Sequence, residues 1–394
     1  MAGSMYHSQT KDRYSSIPPR YEDITMADDP APVTITANDI VIAVMGVTGA
    51  GKSTFISYFC PTARAGEGLE SFTRSVEAHE ADIDDQRVIL IDTPGFDDTH
   101  RTETAVLREV AAWLNRSYEA NIKLAGIIYL HRINDNRLGG AALRNLRMFK
   151  QLCGEDRLSC VVLGTTMWGL VPVNTAIKRE IELKQNEEFW AGMIRKGSKV
   201  FRQDNGLVSA LAIIRFILSK RSRDAPGGVT LQIQEEMARG ATLDETAAGR
   251  EVNAEIDRLR SQHKQELRDL RAEFEEAQKL NDAHYREELL RVKADVEKKM
   301  KEERDDRERM RVTWEQLKKQ RDEELQLERQ KAYELELEHR ETILKKEAEL
   351  DGLKSRNDLE AELIKERLMK DLEKAKAERY REQLRRLHTP CVVM

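Results

Sequence analysis

The stretch that decides the fold is Gly46-Val47-Thr48-Gly49-Ala50-Gly51-Lys52-Ser53-Thr54, which fills every fixed position of the pattern G-x-x-x-x-G-K-[ST]. Glycines at these positions let the backbone wrap closely around phosphate oxygens and present amide N–H groups to them. Lys52 is placed to reach the β and γ phosphates of a nucleotide, and the Ser53 hydroxyl to hold Mg²⁺. The predicted nucleotide-binding residues of this loop are Gly46, Thr48, Gly49, Ala50, Gly51, Lys52, Ser53 and Thr54.

The segments on either side have the character that such a loop requires. Residues 39–45 form a short, mostly apolar and β-branched run, which is typical of a strand buried on both faces of a parallel sheet. Residues 53–59 can continue as a helix until Pro61 ends it. Strand, loop and helix in this order distinguish the motif from a glycine-rich turn that binds nothing.

A second motif points to the same ligand. The apolar run 87–91 ends in Asp92-Thr93-Pro94-Gly95. An acidic residue at the tip of such a strand can anchor Mg²⁺, and the Gly95 amide can contact a γ-phosphate. We therefore predict Ser53 and Asp92 as metal-binding residues and Gly95 as a nucleotide contact.

The rest of the first 220 residues alternates between predicted strands and helices. This pattern implies an α/β fold of the P-loop NTPase type, with a doubly wound, mostly parallel sheet that binds its ligand at the carboxyl ends of the strands. Further strands are predicted at 76–83, 124–130, 158–164 and 199–201, and helices at 102–117, 140–152, 176–195 and 206–220.

Composition divides the 394 residues into unlike parts. About a quarter of the first 250 residues are charged, against roughly half of those from 251 to 390, which is the composition of a long helical region. The predicted organisation is a disordered leader (1–37), a G domain (38–222), a linker (223–250), a helical coiled coil (251–388) and a terminal segment (389–394).

Bulk properties exclude several classes of protein. The net charge of -5 gives no reason to expect a nucleic-acid partner. We find no signal peptide and no run long enough for a membrane span, so we expect a cytoplasmic protein. The 4 cysteines show no paired metal spacing, which predicts neither disulfides nor zinc.

Apolar residues recur at spacings of three and four in the charged region, as at Leu267, Leu270 and Phe274. This indicates a coiled-coil seam, although the register slips between patches, which argues against one uninterrupted two-stranded rope. We expect the region to associate with a second copy or with a partner. A lone charged helix, supported by pairs such as Glu303 and Arg307, is the alternative.

The chain ends in Cys391-Val392-Val393-Met394, which matches the prenylation pattern C-a-a-X with a terminal Met that favours farnesyl. One farnesyl chain gives weak, reversible anchoring, to which nearby arginines would add. Cys391 is therefore a candidate lipidation site and would tether the protein to a membrane periphery. An accidental tetrapeptide is the alternative.

These motifs together resemble the GTPases of the septin and AIG1 branch, most closely the fungal G-domain proteins of that type. The resemblance covers about residues 40–220 and includes Ser71-Phe72-Thr73 as a first switch. It implies GTP and Mg²⁺ as ligands, GTP hydrolysis, and association into a dimer or oligomer through the G domain. It also implies that Thr73 binds the metal and acts in catalysis.

Two departures from the GTPase pattern matter. Phe96 follows Gly95 where many small GTPases carry the glutamine that orients the attacking water, so hydrolysis should be slow or assisted. Thr165-Thr166-Met167-Trp168 stands where N-K-x-D or T-K-x-D should read guanine, and the aspartate is missing. Thr166 and Trp168 are the candidate base contacts. Trp168 could stack on the base or lie in the core, and both alternatives stay open.

His131 and Arg132 follow a predicted strand at the ligand-facing edge of the sheet. They could supply the charge stabilisation that the missing glutamine does not, either in their own site or across a dimer. We take His131, together with Thr73, as a candidate catalytic residue. An ordinary surface pair is the alternative.

The sequence thus favours a GTP-binding protein with slow hydrolysis, which acts as a nucleotide-dependent switch or assembly module through its helical region. Two alternatives stay open. The first is a structural scaffold that bound nucleotide stabilises with little turnover, and the second is an ATP-using P-loop enzyme.

Overall fold

The computed structural model describes residues 33–60, 75–97, 101–136, 139–224, 228–279, 283–353, 364 and 366–376. Its centre is a six-stranded sheet with the strand order β2-β3-β1-β4-β5-β6. Only β2 runs antiparallel to its neighbour among these strands. The predicted doubly wound, mostly parallel sheet is therefore confirmed. The strands are β1 (Ile40–Gly46), β2 (Glu77–Ile83), β3 (Gln86–Asp92), β4 (Leu124–Arg132), β5 (Val161–Thr166) and β6 (Lys199–Arg202).

Helices cover both faces of the sheet, because successive residues of each strand point to opposite sides. Ile42 and Val44 pack with α1 and α6 on one face, whereas Ala43 and Met45 pack with α2 and α3 on the other. All seven residues of β1 are buried, which explains its uninterrupted apolar sequence. The helices of this part are α1 (Lys52–Ser57), α2 (Glu103–Glu119), α3 (Gly140–Cys153), α4 (Val173–Gln185), α5 (Ala191–Arg195) and α6 (Gly206–Asp224).

Two predicted elements differ from the structure in detail. The first half of the predicted strand 158–164 belongs to a 3₁₀ helix (Glu155–Cys160) that precedes β5. The predicted helix 176–195 is split into α4 and α5. The break occurs because Asn186 adopts an extended conformation and its side chain accepts a hydrogen bond from the Glu188 amide, which stabilises a turn.

The segment predicted as a linker is part of the folded domain. It contains α7 (Gln232–Ala238), and its apolar side chains Leu231, Ile233 and Leu243 are fully buried in the core formed with α2 and α3. Val229 also pairs with Leu124 at the start of β4. The described residues of this segment, from 228 on, are therefore folded, and the predicted linker over 223–250 is wrong for them.

The charged region folds back on itself and on the G domain. It comprises α8 (Ala247–Lys279), α9 (Ala283–Met310), α10 (Trp314–Leu353) and a further helical stretch at 366–376. Asp257 pairs with Arg307, and His263 with Glu303, so α8 and α9 form an antiparallel hairpin. Some apolar residues of this region are thus buried within one chain, as Leu289, Val296 and Met310 are, whereas Leu267, Leu270 and Phe274 of the predicted seam are half-buried.

Several sequence predictions fall outside the described residues. They include residues 1–32 of the predicted leader, the predicted switch at 71–73 and the terminal segment with Cys391. Ile35, near the end of the predicted leader, is buried in the core. Among the described helices, none combines the length and the apolar character needed to cross a membrane.

Replacing Leu231 tests whether the segment before α8 is structural. Leu231→Ala should lower the free energy of unfolding by about 2–5 kcal/mol, because it opens a cavity in the core. Leu327→Ala, at a side chain that is 51% exposed on α10, is the matched control and should change it by less than about 0.5 kcal/mol. Urea unfolding followed by circular dichroism measures both, and equal effects would restore the linker interpretation.

Candidate functional site

The predicted phosphate loop connects β1 to α1 at the carboxyl edge of the sheet. Gly46 has φ of 144°, and a Cβ there would lie 2.3 Å from the Leu130 carbonyl oxygen. Gly51, with φ of 87°, is the left-handed residue from which α1 starts. Both positions therefore require glycine for a physical reason. The strand, loop and helix expected around a phosphate site are present.

Lys52 is the first residue of α1 and is almost completely buried. Its Nζ donates to the carbonyl oxygens of Gly46 (3.4 Å) and Val47 (3.1 Å). The ammonium group is thereby held against the loop whose amides would receive a phosphate. This is the position that the motif assigns to it.

Ser53 and Asp92, the two predicted metal ligands within the described residues, lie in contact. The Ser53 hydroxyl donates to Asp92 Oδ2 at 2.6 Å, the short distance typical of a hydrogen bond to a carboxylate. Hydroxyl and carboxylate oxygens are ligands that Mg²⁺ accepts, so this pair fits the metal. Thr73, the third predicted ligand, lies outside the described residues.

The loop that follows β3 docks onto the phosphate loop through its backbone. The Thr48 amide donates to the Phe96 carbonyl at 2.8 Å, and the Phe96 amide donates to the Gly46 carbonyl at 3.3 Å. A Cβ on Gly95 would lie 2.3 Å from Thr48 Oγ1, so the contact also requires glycine. Two loops that are distant in sequence therefore form one unit.

Phe96 is fully buried in the core beneath this unit. Its ring offers no hydrogen-bonding group to a water molecule. The absence of the water-orienting glutamine, noted from the sequence, thus reflects a position that the fold uses for packing.

The residues predicted to contact the base have structural partners. Thr166 is buried, and its hydroxyl donates to the Ala50 carbonyl (3.0 Å) and the His131 carbonyl (3.3 Å). Thr166 therefore positions the phosphate loop. Its predicted contact with the base stays a prediction.

Trp168 is half-buried and held in place on two sides. Its indole N–H donates to Thr165, at 3.0 Å from the hydroxyl oxygen and 3.2 Å from the carbonyl oxygen. The Arg202 guanidinium lies 4.3 Å from the ring centroid, and two hydrogen bonds to Glu180 (2.9 and 2.6 Å) fix that guanidinium. One face of the ring is therefore covered, and a base could stack only on the other.

His131 is a core residue, contrary to the prediction that it supplies charge. Its ring is buried and packs edge-on against Trp190, with centroids 5.9 Å apart. Burial lowers the pKa of His131 to about 4. The imidazole is thus neutral at pH 7, so it does not supply a positive charge there.

The neighbouring Arg132 lies at the loop instead. Its Nη1 is 3.1 Å from the position that a Cβ on Gly49 would occupy. Its Nε bonds to Asp135, 3.1 Å from Oδ1 and 3.2 Å from Oδ2. Both His131 and Arg132 were named in the sequence analysis. Because side chains alternate along β4, His131 is buried whereas Arg132 faces the loop.

Two carboxylates, the half-buried Glu77 and the buried Glu109, were missed from the sequence. Glu77 stands opposite Asp92 in the β2–β3 register, and burial together with the charge of Asp92 raises the pKa of Glu77 to about 8. Glu109 on α2 accepts the Val76 amide at 3.2 Å and the Arg321 guanidinium at 2.9 Å. The alternating run 76–83 could have indicated Glu77, but no local pattern indicates which arginine meets Glu109.

Comparison with known proteins identifies the domain. Residues 41–158 match a family described as 50S ribosome-binding GTPase. The chain carries a P-loop GTPase domain. No curated protein matches the sequence.

Solved structures of other proteins are similar to part of the chain at low identity. Toc33 from Arabidopsis thaliana, crystallised with GDP and Mg²⁺, has 15% sequence identity and a TM-score of 0.39, over 48% of this chain and 86% of its own. Era from Aquifex aeolicus, bound to GDP and AlF4⁻, has 14% identity and a TM-score of 0.33, over 45% of this chain and 56% of its own. The chain therefore spans about half the length of Era.

The buried imidazole of His131 should make the free energy of unfolding depend on pH. The unfolded chain binds a proton at His131 below pH 6.5, whereas the folded chain resists protonation until about pH 4. The free energy of unfolding should therefore fall with decreasing pH in this window, by up to about 3 kcal/mol from this residue. His131→Leu should lose that component in denaturant titrations at several pH values. The control His284→Leu, at an exposed position on α9, should keep the wild-type slope, and identical slopes in all three proteins would contradict the prediction.

Proposed function

We propose that this chain is a GTP-binding protein that hydrolyses GTP slowly with Mg²⁺ and acts as a nucleotide-dependent switch. In this proposal the C-terminal helices are the element that responds. The family match supports GTP as the ligand, and the joined loops support a site that senses the γ-phosphate.

The observation that carries the proposal is the position of Glu109. One of its carboxylate oxygens accepts both the Val76 amide, three residues after the predicted switch residue Thr73, and the Arg321 guanidinium on α10. The side chains of Glu109 and Arg321 are only 8% and 9% exposed. Removing one partner from a buried ion pair costs about 3–5 kcal/mol, because the other charge stays buried. Movement of the switch would therefore disturb the contact between Glu109 and Arg321 on α10.

Other contacts extend this connection along α2. Arg108 donates to Gln320 at 2.7 Å, and the Trp314 indole donates to Glu119 at 2.7 Å. The Trp314 ring also packs edge-on against Tyr118. Because α2 begins soon after the loop that docks on the phosphate loop, it connects the nucleotide site to α10 at several points.

The roles proposed for the site follow from its donors and acceptors. Lys52 and the loop amides bind the β and γ phosphates, while Ser53 and Asp92 hold Mg²⁺. Bound Mg²⁺ would neutralise charge that develops on the phosphates. The Gly95 amide would contact the γ-phosphate, and the family resemblance assigns Thr73 as a further metal ligand. With Phe96 packed in the core, hydrolysis is slow unless a further group assists.

Finer features of the proposal rest on motif likeness. They are membership of the septin and AIG1 branch, association into a dimer or oligomer, a cytoplasmic location, and a farnesyl tether at Cys391. Cys391→Ser should release the protein from membranes if that tether exists.

Two other functions are each favoured by a specific observation. The missing aspartate at Trp168, together with the occupied Thr166 hydroxyl, favours testing ATP as the ligand. The burial of Phe96 favours testing a scaffold that holds nucleotide without turnover. Competition between GTP and ATP decides the first question, and phosphate release over many turnovers decides the second.

Replacing Lys52 tests the nucleotide site itself. Lys52→Ala should abolish binding of fluorescent GTP, because it removes the charge that faces the phosphates, while circular dichroism stays that of the wild type. Lys123→Ala, at an exposed lysine just before β4 and thus at the opposite edge of the sheet, should bind GTP normally. Unaltered affinity in Lys52→Ala would refute the site.

Replacing Arg321 tests the switch. Hydrogen exchange of the wild type should show that α10 is protected to different extents with GDP and with a non-hydrolysable GTP analogue. Arg321→Ala should remove that difference and speed exchange in α10, whereas Lys319→Ala, at an exposed pair with Glu323, should preserve it. Identical exchange of wild-type α10 in both nucleotide states would argue for the scaffold.

A further inference from the structure

Arg132 is the last residue of β4, and its guanidinium lies beside the phosphate loop. Its Nη1 is 3.1 Å from the position of a Cβ on Gly49. Gly49 is exposed and has φ of 75°, so the guanidinium reaches the loop on its solvent side. We propose that Arg132 is a ligand of the bound nucleotide and donates to a phosphate oxygen from within the same chain. This inference rests on the proposed function and specifies one of its contacts.

The sheet places Arg132 at the level of the loop. Gly46, where the loop begins, pairs with Leu130, so Arg132 lies two residues further towards the carboxyl edge. Ligands of parallel sheets bind at that edge. The contact with Gly49 follows from this register.

The turn after β4 holds the guanidinium in a defined orientation. Asp135 engages Nε from three residues away, whereas Nη1 is the atom nearest Gly49. The Ile133 amide donates to the Thr166 carbonyl at 3.0 Å, and the Thr166 hydroxyl donates to the Ala50 carbonyl. The turn, β5 and the phosphate loop are therefore linked by hydrogen bonds, which limits the reorganisation needed on binding.

The charge balance of the loop supports the assignment. Lys52 donates to carbonyl oxygens of the loop, whereas Arg132 carries a second positive charge on the loop's solvent side. A nucleoside triphosphate keeps net negative charge even with Mg²⁺ bound. Guanidinium has five N–H donors, so Nε can pair with Asp135 while the Nη groups donate to phosphate.

The test compares two substitutions of Arg132 in the full chain. Arg132→Ala should weaken binding of fluorescent GDP and of a GTP analogue by about 10- to 100-fold, the effect of one charged hydrogen bond. Arg132→Lys should recover part of the affinity because it restores the charge. The loss should shrink for GMP if Arg132 reaches the β or γ phosphate, and urea unfolding of the nucleotide-free protein should be unchanged within about 1 kcal/mol.

Arg179 on α4 provides the matched control. Its guanidinium donates to the Ile133 carbonyl (2.9 Å) and the Asn136 side chain (2.5 Å), so it supports the same turn from the other side. Arg179→Ala should bind nucleotide as the wild type does. Equal losses in Arg179→Ala and Arg132→Ala would assign the effect to the turn and overturn the proposal, as would wild-type affinity in Arg132→Ala. If the wild type binds no purine nucleotide, the proposed function fails first and this inference with it.

Discussion

The site depends on the close approach of three backbone segments at the carboxyl edge of the sheet. A side chain on Gly46 would collide with the Leu130 carbonyl, and one on Gly95 would collide with Thr48. Because neither position has room for a Cβ, β1, β4 and the loop after β3 pack against one another through bare backbone. The amides of the phosphate loop are therefore oriented by neighbouring strands before a ligand arrives. Such orientation lowers the free energy that binding would otherwise spend on ordering the loop.

The same packing makes the C-terminal helices part of the GTPase domain. Exposed ion pairs such as Lys318 with Glu119 contribute little to the contact between α2 and α10. The buried pair of Glu109 and Arg321 has a different effect, since removing Arg321 leaves the Glu109 carboxylate buried without its guanidinium partner. Burial raises the pKa of Glu109, and the Arg321 guanidinium and the Val76 amide act in the opposite direction. α10 is thus coupled to the domain by an interaction that tolerates little displacement.

The parts of the structure that the sequence could predict are those encoded within a few consecutive residues. The phosphate loop, the Asp92 motif and the buried strands each carry their own pattern of glycines or apolar residues. The packing of Leu231 and Ile233 could not be predicted, because their partners on α2 and α3 lie about a hundred residues earlier. Strand alternation predicts that His131 and Arg132 point apart, but which one is buried depends on the remote Trp190. The antiparallel pairing of α8 and α9 likewise depends on where the chain reverses.

Phe96 shows how packing and chemistry compete at this site. Its full burial contributes about 1.5–3 kcal/mol to stability, whereas a glutamine there would place an amide in the core without partners. The backbone of the same residue bonds to both Gly46 and Thr48, so its position cannot shift to expose a longer polar side chain without breaking the contact between the two loops. A chain that fixes its phosphate loop through Phe96 lacks the glutamine that usually orients the attacking water. Under the proposed function, rapid hydrolysis would then require a group from the switch or from another molecule.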